Sequence, residues 1–463
     1  MKKKVLAVVL AAMTAGMLAA CGSSSGGTAA STASSTAAEA STETAATSEA
    51  ASGESAEVAG ASTDANTLTV WTWDPKFNIY AMQEAEKFYQ KDHPDFKLNI
   101  VEIQSDDIET KITTAASAND YSILPDIFLM QDNSYQKYLT YYPEVFLDLT
   151  DSGIDFSQFA SGKLAYSTMD GKHYGVPFDN GAVICAYRTD YLEQAGLTVD
   201  DFTDITWDQF IENGKKVKDA TGNAMLNSQA GSPDLIMMML QSAGASMFNE
   251  DGSVNIKDND VLKVCMNYYQ QMVEAGVLVE VTDWDQYIAG IQGGSAACAC
   301  NGCWIIGSIT AAEDLSGKWA ITNMPKLDGV DGATNYSNNG GSSWAITTNS
   351  QNQDLAIDFM KTIWAGDPDF YADILPSSGA LSTWLPAAES DIYGEPQEFF
   401  GGDAIYTKIT DFASKVPTNI TGPYYYDARD AVGVALSNII QSGADVQSEL
   451  DTAQETVEFN MGG

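Results

Sequence analysis

The chain has 463 residues, of which 44% are hydrophobic and 19% are charged, which excludes wholesale disorder and predicts two or three domains. It carries 63 Asp and Glu against 23 Lys and Arg, for a formal net charge of −40. Nucleic acids and anionic lipid headgroups are poor partners for so acidic a surface, because it repels phosphate. The chain has two histidines, His93 and His173, which argues against a histidine-rich metal site.

The N-terminus has the order of a bacterial lipoprotein signal peptide. Three lysines follow Met1, an apolar stretch of 16 residues covers 5–20, and the sequence Leu-Ala-Ala-Cys ends at Cys21. The apolar stretch is too short and wrongly flanked for a stable membrane span. We therefore predict that residues 1–20 are removed and that Cys21 is lipidated and becomes the mature N-terminus.

Residues 21–66 have the composition of a flexible linker. After Cys21 this stretch is mainly Ser, Thr, Ala and Gly with six acidic residues, and Val58 is its only bulky apolar side chain. Such a segment cannot bury enough apolar surface to offset the entropy lost on ordering. We expect a disordered, lipid-anchored linker, with the folded body beginning at about Thr67.

The folded body opens with alternating strands and helices. Hydrophobic periodicity predicts strands over 68–73, 96–103 and 125–130, with helices over 78–92 and 108–118. This order indicates a parallel sheet with right-handed crossovers. Ligands of such sheets bind beyond the carboxyl ends of the strands.

The rest of the body is also mixed α/β. Helices are predicted over 207–218, 235–243, 260–275, 353–365, 403–413 and 428–442. Strands are predicted over 296–301, 319–324 and 343–347. Thr206 and Gln209 have the spacing of a capping box at the start of the first of these helices.

Four sequence blocks of the body, taken in order, carry a family resemblance. They are DGKHYGVPFD (170–179) with AYRTDYLEQAG (186–196) and TWDQF (206–210), IQGGSAACACNGCW (291–304), NGGSSWAI (339–346) with AIDFMK (356–361), and SELDTAQ (448–454). Together they resemble the extracellular sugar-binding proteins of bacterial ABC importers, the family that includes maltose-binding protein. The resemblance covers nearly all of residues 67–463.

The resemblance implies an α/β, two-lobe, periplasmic-binding-protein-like fold. Each lobe would be a sheet flanked by helices, with the ligand cleft between the lobes. We expect lobe one at 67–180 and 335–375, and lobe two at 181–334 and 376–463.

The same resemblance implies a monomeric binding lipoprotein that is not an enzyme and needs no cofactor. It would capture a sugar or oligosaccharide by lobe closure and deliver it to the permease of an ABC transporter. With the lipid on Cys21, it would be anchored at the extracellular face of the cell membrane of a Gram-positive-type bacterium.

A sugar site needs aromatic rings for the apolar faces of the sugar, and acids, amides or Arg for its hydroxyl groups. Trp73 ends the first predicted strand and is as well explained by core packing. Trp304 follows a glycine at a strand-to-helix turn, where the family often stacks sugar. Trp207 and Trp364 lie in regular helices and are predicted to pack in the core.

Polar candidates follow strand ends or the expected crossing between lobes. Asp74 can accept ligand hydroxyls or cap the next helix, and Arg429 can contact ligand or pair with a surface acid. Glycines 340 and 341 allow close approach of a ligand or form a plain turn. The predicted ligand-binding set is Trp73, Asp74, Asp132, Asp179, Asn180, Asp285, Trp304, Gly340, Gly341 and Arg429.

The cysteines after Cys21 number five, namely Cys185, Cys265, Cys298, Cys300 and Cys303. An odd number is not a disulfide framework. The spacing of Cys298, Cys300 and Cys303 is compatible with a metal or iron–sulfur site, but Cys also packs as a small hydrophobe. We predict buried packing and no metal.

Other functions stay open at this point. The same fold can bind a cationic solute such as a polyamine, because acids and aromatic rings are abundant, and a peptide is a further alternative. A binding protein that feeds a sensor kinase is another. A cell-envelope enzyme is disfavoured, because Ser134 and Lys137 have the spacing of penicillin-binding enzymes but the companion motifs are missing.

The lipobox generates a direct prediction. Cys21→Ala is expected to move the protein from the membrane fraction to the medium, because the thiol that carries the lipid is gone. Cell fractionation and mass spectrometry of the mature N-terminus measure this. Unchanged fractionation and mass would show that Cys21 is not the anchor.

Overall fold

The computed structural model describes residues 59–462. The predicted signal peptide, Cys21 and the linker up to residue 58 lie outside the described residues. The described strands are β1 Thr67–Thr72, β2 Lys97–Glu102, β3 Ile127–Gln131, β4 Thr168–Met169, β5 Lys172–His173, β6 Val176–Pro177, β7 Val183–Arg188, β8 Leu226–Gln229, β9 Leu278–Val281, β10 Cys298–Gly302, β11 Trp319–Thr322 and β12 Ser342–Ile346.

The α-helices alternate with these strands and then dominate the C-terminal third. They are α1 Asn78–Tyr89, α2 Ser105–Ala118, α3 Asp132–Tyr141, α4 Ser161–Leu164, α5 Thr189–Gln194, α6 Trp207–Thr221, α7 Asp234–Ser242, α8 Asp260–Glu274, α9 Trp284–Gly293, α10 Ile306–Thr310, α11 Gln353–Phe359, α12 Pro368–Ser378, α13 Leu385–Ala388, α14 Ile405–Ser414, α15 Tyr425–Ser442 and α16 Val446–Asn460. Between residues 59 and 462, no helix combines the length and the apolar character needed to cross a bilayer.

The first sheet has the strand order β2-β1-β3-β12-β6. β1 pairs in parallel with both β2 and β3, as the alternating strands and helices predict. β12 then pairs antiparallel with β3 and with β6, so the sheet is mixed rather than purely parallel. The two added strands come from distant parts of the chain, which local periodicity does not reveal.

The second sheet is smaller and antiparallel. β7 lies between β10 and β11 and pairs antiparallel with both, while β8 and β9 form a separate parallel pair. Successive residues of β7 face opposite sides, so Cys185 and Tyr187 pack in one hydrophobic cluster and Ile184 and Ala186 in another. The second sheet is therefore buried on both faces.

The helix signals in the sequence are largely confirmed. Thr206 and Gln209 form the reciprocal capping box at the start of α6, with the Thr206 amide donating to Gln209 Oε1 at 3.0 Å. Trp207 and Trp364 are fully buried, as predicted, although Trp364 lies in a π-helix rather than a regular α-helix. The helix predicted over 353–365 differs in its second half, where α11 gives way to a π-helix at Met360–Trp364.

Residues 59–66 are part of the folded body, although their composition predicts linker. Trp71 Nε1 donates to the Ala59 carbonyl at 3.0 Å, and the Ser62 amide donates to Asp126 Oδ2 at 2.8 Å. The segment is held by backbone hydrogen bonds and one buried carboxylate rather than by apolar side chains. Composition alone does not reveal interactions of that kind.

The two sheets with their helices form two lobes, and chain segments near residues 180, 339 and 381 lie where the lobes meet. Hydrogen bonds join the crossing segments, with the Asn339 amide donating to the Gly181 carbonyl at 2.8 Å and the Asn180 amide to the Leu381 carbonyl at 3.3 Å. Trp384 packs in a cluster of the first sheet and Leu381 in a cluster of the second. The exact lobe boundaries proposed from the sequence stay a prediction.

A buried lysine lies where these segments meet. Lys163 of α4 forms an ion pair with Asp132, the first residue of α3, and both side chains are almost fully buried. Its charge also acts on Asp179, whose carboxylate accepts the Ser342 amide at 2.8 Å and the Ser342 hydroxyl at 2.6 Å. Burial raises the pKa of Asp132 to about 6 and raises the pKa of Asp179, and in both cases Lys163 opposes the shift.

This arrangement predicts a strong effect of Lys163→Met. Loss of one partner leaves a buried charge uncompensated, which costs about 3–5 kcal/mol of unfolding free energy. Without Lys163 the pKa values of both carboxyls lie higher than in the wild type, so the stability of the variant should rise more steeply than that of the wild type as the pH falls from about 7 to about 5. Urea unfolding at both pH values measures this.

Lys172→Met is the matched control, because the ion pair of Lys172 with Asp148 is exposed to solvent. It should leave the unfolding midpoint nearly unchanged. Equal effects of the two substitutions would contradict a structural role for the buried lysine.

Candidate functional site

A cavity of about 1210 Å³ lies between the two lobes. One wall comes from the ends of β1 and β3 with α2 and α3, and the other from α7, α9 and the start of α15. The crossing segment 339–342 forms part of the lining. The volume exceeds that of typical small-ligand pockets, so it accommodates a ligand larger than a single ring.

Eight of the ten predicted ligand-binding residues line this cavity. They are Trp73, Asp74, Asp179, Asp285, Trp304, Gly340, Gly341 and Arg429. Asp132 and Asn180 do not line the cavity, because their side chains are bound to other groups of the protein. Asp132 pairs with Lys163 and accepts the Ser343 hydroxyl, while Asn180 Oδ1 accepts the Ala182 amide at 3.0 Å.

Asn78 shapes the turn that carries Trp73 and Asp74 into the cavity. Its buried Oδ1 accepts the Thr72 hydroxyl at 2.6 Å and the amides of Trp73 at 3.1 Å and Asp74 at 2.8 Å. The Asp74 carboxylate in turn accepts the Lys76 amide at 2.8 Å. Asp74 therefore closes the turn before α1, whose N-cap is Phe77, and it also lines the cavity, while its contact with ligand stays a prediction. Burial raises its pKa, and backbone hydrogen bonds oppose that shift.

Trp304 connects both lobes at the cavity. Its indole Nε1 donates to the Asn339 carbonyl on the crossing segment at 2.8 Å. Its ring packs partly against a cluster of each sheet. A Cβ on Gly302 would lie 2.3 Å from Trp304 Nε1, so the glycine at the end of β10 is required for this ring position.

Trp284 is an aromatic cavity residue that the sequence reasoning missed. It is 38% exposed, and its ring lies 5.9 Å from Trp304 and 5.0 Å from Tyr287, where it is stacked. Asp283 caps the start of α9 by accepting the Gln286 amide at 2.8 Å. This cap places Trp284 in the first turn of α9, beside the predicted Asp285. A Trp directly after an Asp at a helix start was the signal available in the sequence.

Gly341 is needed where the crossing segment passes the buried lysine. Its φ of +107° lies in the left-handed region, and a Cβ there would stand 2.6 Å from Asp132 Oδ2 and 2.9 Å from Lys163 Nζ. No side chain fits that gap. The glycine therefore brings backbone to the cavity surface directly over the buried ion pair.

The cavity lining contains nine acidic residues and three basic ones among the described residues. The acids are Asp74, Glu102, Asp106, Glu109, Asp179, Asp234, Asp285, Asp427 and Asp430, and the bases are Lys76, Lys137 and Arg429. Arg429 forms an ion pair with Asp234 at 2.6 Å, which was one of its two predicted roles, and its side chain still lines the cavity. Burial raises the pKa of Glu109, with hydroxyl hydrogen bonds from Ser134 and Tyr138 among the opposing contributions.

Contacts from α3 and the end of β3 to the start of α15 join the two walls of the cavity. Lys137 pairs with Asp427 at 3.2 Å, and the hydroxyls of Tyr141 and Tyr424 lie 2.5 Å apart. A further hydrogen bond joins Tyr426 to Gln131. Sequence reasoning missed these residues, because their partners lie almost 300 positions away along the chain.

The five cysteines from Cys185 onward are buried and unpaired by disulfide. Burial raises the pKa of Cys265 and Cys303, as expected for thiols packed as small hydrophobes. Over the described range, 59–462, no group of three or more His, Cys, Asp or Glu side chains is arranged to hold a metal ion. The absence of metal at Cys298, Cys300 and Cys303 stays a prediction.

Comparisons with known proteins agree with this geometry. The family model described as bacterial extracellular solute-binding protein matches residues 84–396. A lactose-binding protein of Rhizobium radiobacter is 42% identical over 353 residues, which cover 76% of this chain and 83% of that protein.

Two solved structures share the fold. One is an ABC transporter associated binding protein from B. animalis subsp. lactis Bl-04 in complex with β-1,6-galactobiose, with a TM-score of 0.73, 21% identity and coverage of 85% of this chain and 97% of that one. The other is maltose-bound MalE3 of T. maritima, with a TM-score of 0.72, 15% identity and coverage of 85% and 99%. The family model and the 42% identical relative confirm the family expected from the sequence blocks: this chain belongs to the bacterial extracellular solute-binding proteins.

Proposed function

We propose that this protein captures a sugar or short oligosaccharide in the cavity by lobe closure and delivers it to the permease of an ABC transporter. The observation that carries the proposal is the pairing of aromatic rings that line the cavity, one exposed and two partly buried, with hydrogen-bonding groups on both walls. Trp284 and Trp304 lie side by side on one wall, and Trp73 with Asp74 lies on the other. The rings suit the apolar faces of a sugar, and the carboxylates and amides suit its hydroxyls.

A galactose-containing disaccharide is the first ligand to test. The 42% identical relative is named for lactose, and one structural neighbour holds β-1,6-galactobiose. The cavity has room for more than one ring. Because the distance between the Trp284 and Trp304 rings is 5.9 Å, we propose that neighbouring sugar units stack on them in turn.

A cationic solute is less well supported than a neutral sugar. Several cavity acids already have partners, since Asp234 pairs with Arg429 and Asp427 with Lys137. Asp74 and Asp179 accept backbone or hydroxyl donors, and burial raises the pKa of both, so their charged forms are disfavoured. Much of the acidic excess is therefore committed to the protein itself.

We also propose that the protein acts as a monomer without chemical conversion of its ligand, and that the lipid on Cys21 holds it at the outer face of the cell membrane. The contacts of α3 with the start of α15 support closure, because they join the two walls at the cavity. Delivery then requires these contacts to open at the permease.

Trp284→Ala is expected to weaken binding of lactose or galactobiose by roughly tenfold or more, since stacking of one ring contributes about 1–3 kcal/mol. Its melting temperature should change little, because the ring is exposed. Trp304→Ala should weaken binding and also lower the melting temperature, because this ring packs on both lobes. Titration calorimetry and thermal unfolding on the same samples measure both.

Trp319→Phe is the matched control. Trp319 is buried away from the cavity lining, so this change should lower stability and leave affinity unchanged in the folded protein. Unchanged affinity in both cavity variants would show that neither tryptophan contributes to the binding site. A panel in which no sugar binds would refute the proposed function itself.

Salt separates the two ligand classes. A neutral sugar should bind with nearly the same Kd at about 0.05 M and about 0.5 M NaCl, because no net charge is exchanged. A polyamine held by ion pairs should bind much more weakly at the higher salt. Calorimetric titrations with lactose and with spermidine at both concentrations provide the comparison, and tight, salt-sensitive spermidine binding would reverse the assignment.

A further inference from the structure

A small niche opens beside the main cavity in lobe two. It measures about 30 Å³ and lies between β8, the start of α7, α9 and β10. Asp234 and Trp284 line both the niche and the cavity, so the two spaces adjoin at these side chains. A group attached to a ligand ring at Trp284 can therefore reach the niche.

Asn227 gives the niche an unused hydrogen-bond acceptor. The side chain is 8% exposed, and its Nδ2 donates to the Tyr287 carbonyl at 2.8 Å. This bond sets the amide orientation, and Oδ1 is left buried without a partner among the described residues. A Cβ on Gly290 would stand 2.3 Å from Asn227 Nδ2, so the amide is also closely packed. A buried acceptor without a donor is costly, which indicates that something else supplies the donor.

The neighbouring amide of Asn301 does not offer that donor. Its Nδ2 donates to the Tyr287 hydroxyl at 3.0 Å, and its Oδ1 accepts the Gly302 amide and Asn339 Nδ2, each at 2.8 Å. These hydrogen bonds hold Asn301 to the crossing segment and α9, and none of them goes to Asn227. Asn227 Oδ1 is the group in the niche that requires a donor from outside.

We infer that the niche receives a hydroxymethyl arm of the sugar unit stacked on Trp284, with its hydroxyl donating to Asn227 Oδ1. The niche volume of about 30 Å³ is two to three times the roughly 10–15 Å³ that one water molecule needs on this measure, which suits one small polar group and not a further ring. Such a subsite favours hexose units, which carry the arm, over pentose units, which lack it. The inference rests on the proposed function and adds a specificity-determining residue to it.

The test pairs changes in the ligand with a change in the protein. The probes are lactose and its 6-deoxy and 6′-deoxy derivatives, each titrated into the full folded protein. In the wild type, one of the two deoxy sugars should bind on the order of tenfold more weakly than lactose, because the loss of its hydroxyl leaves Asn227 Oδ1 unpaired. In Asn227→Leu, which keeps a similar volume and removes the acceptor, that penalty should fall below about twofold.

Asn249→Leu is the control, because Asn249 is exposed and outside the niche and the cavity. It should keep the full penalty. If both deoxy sugars bind the wild type within about twofold of lactose, or if the penalty persists in Asn227→Leu, the niche holds only water and the inference is wrong. The wild-type comparison remains decisive even if Asn227→Leu folds poorly. Absence of binding by lactose and every other sugar would instead overturn the proposed function, and this inference with it.

Discussion

Lys163 is buried with two carboxylates, Asp132 and Asp179, at the point where the chain passes between the two sheets. Taking such charges out of water is costly, and a single lysine offsets the cost only if all three groups are held close together. They come from α3, α4 and a crossing segment, so their attraction fixes these elements relative to one another. Gly341 follows from the same constraint, because backbone without a side chain is all that fits above the pair.

The walls of the cavity depend on this arrangement. Asp132 begins α3, and α3 carries Lys137 and Tyr141 to their partners near the start of α15. On the other side Trp304 donates to the crossing segment and packs against a cluster of each sheet. A movement of one lobe against the other therefore changes the aromatic wall and the contacts of α3 together. That coupling is the physical basis on which lobe closure can sense a bound ligand.

Local sequence signals were sufficient for the first three strands, for the capping box at Thr206 and for placing Trp73 and Asp74 at the cavity. They were insufficient wherever a distant residue decides the outcome. Asp132 follows a strand end as a ligand-binding acid would, yet its carboxylate forms a buried ion pair with Lys163. The partners of α3 on α15 and the antiparallel addition of β12 depend equally on contacts far along the chain. Trp284 could have been predicted from the local sequence, since the neighbouring Asp285 was predicted to bind ligand.

The strong negative charge of the chain and a neutral ligand are compatible for a physical reason. Several of the cavity acids, such as Asp74, Asp179 and Asp234, act as hydrogen-bond acceptors or as partners of internal cations. A carboxylate accepts more hydroxyl hydrogen bonds than any other side chain, so an acid-rich wall is well suited to a ligand made of hydroxyl groups. Ionic steering would require the same acids to stand free in solvent. The ligand class therefore depends on how the carboxylates are paired and not on their number alone.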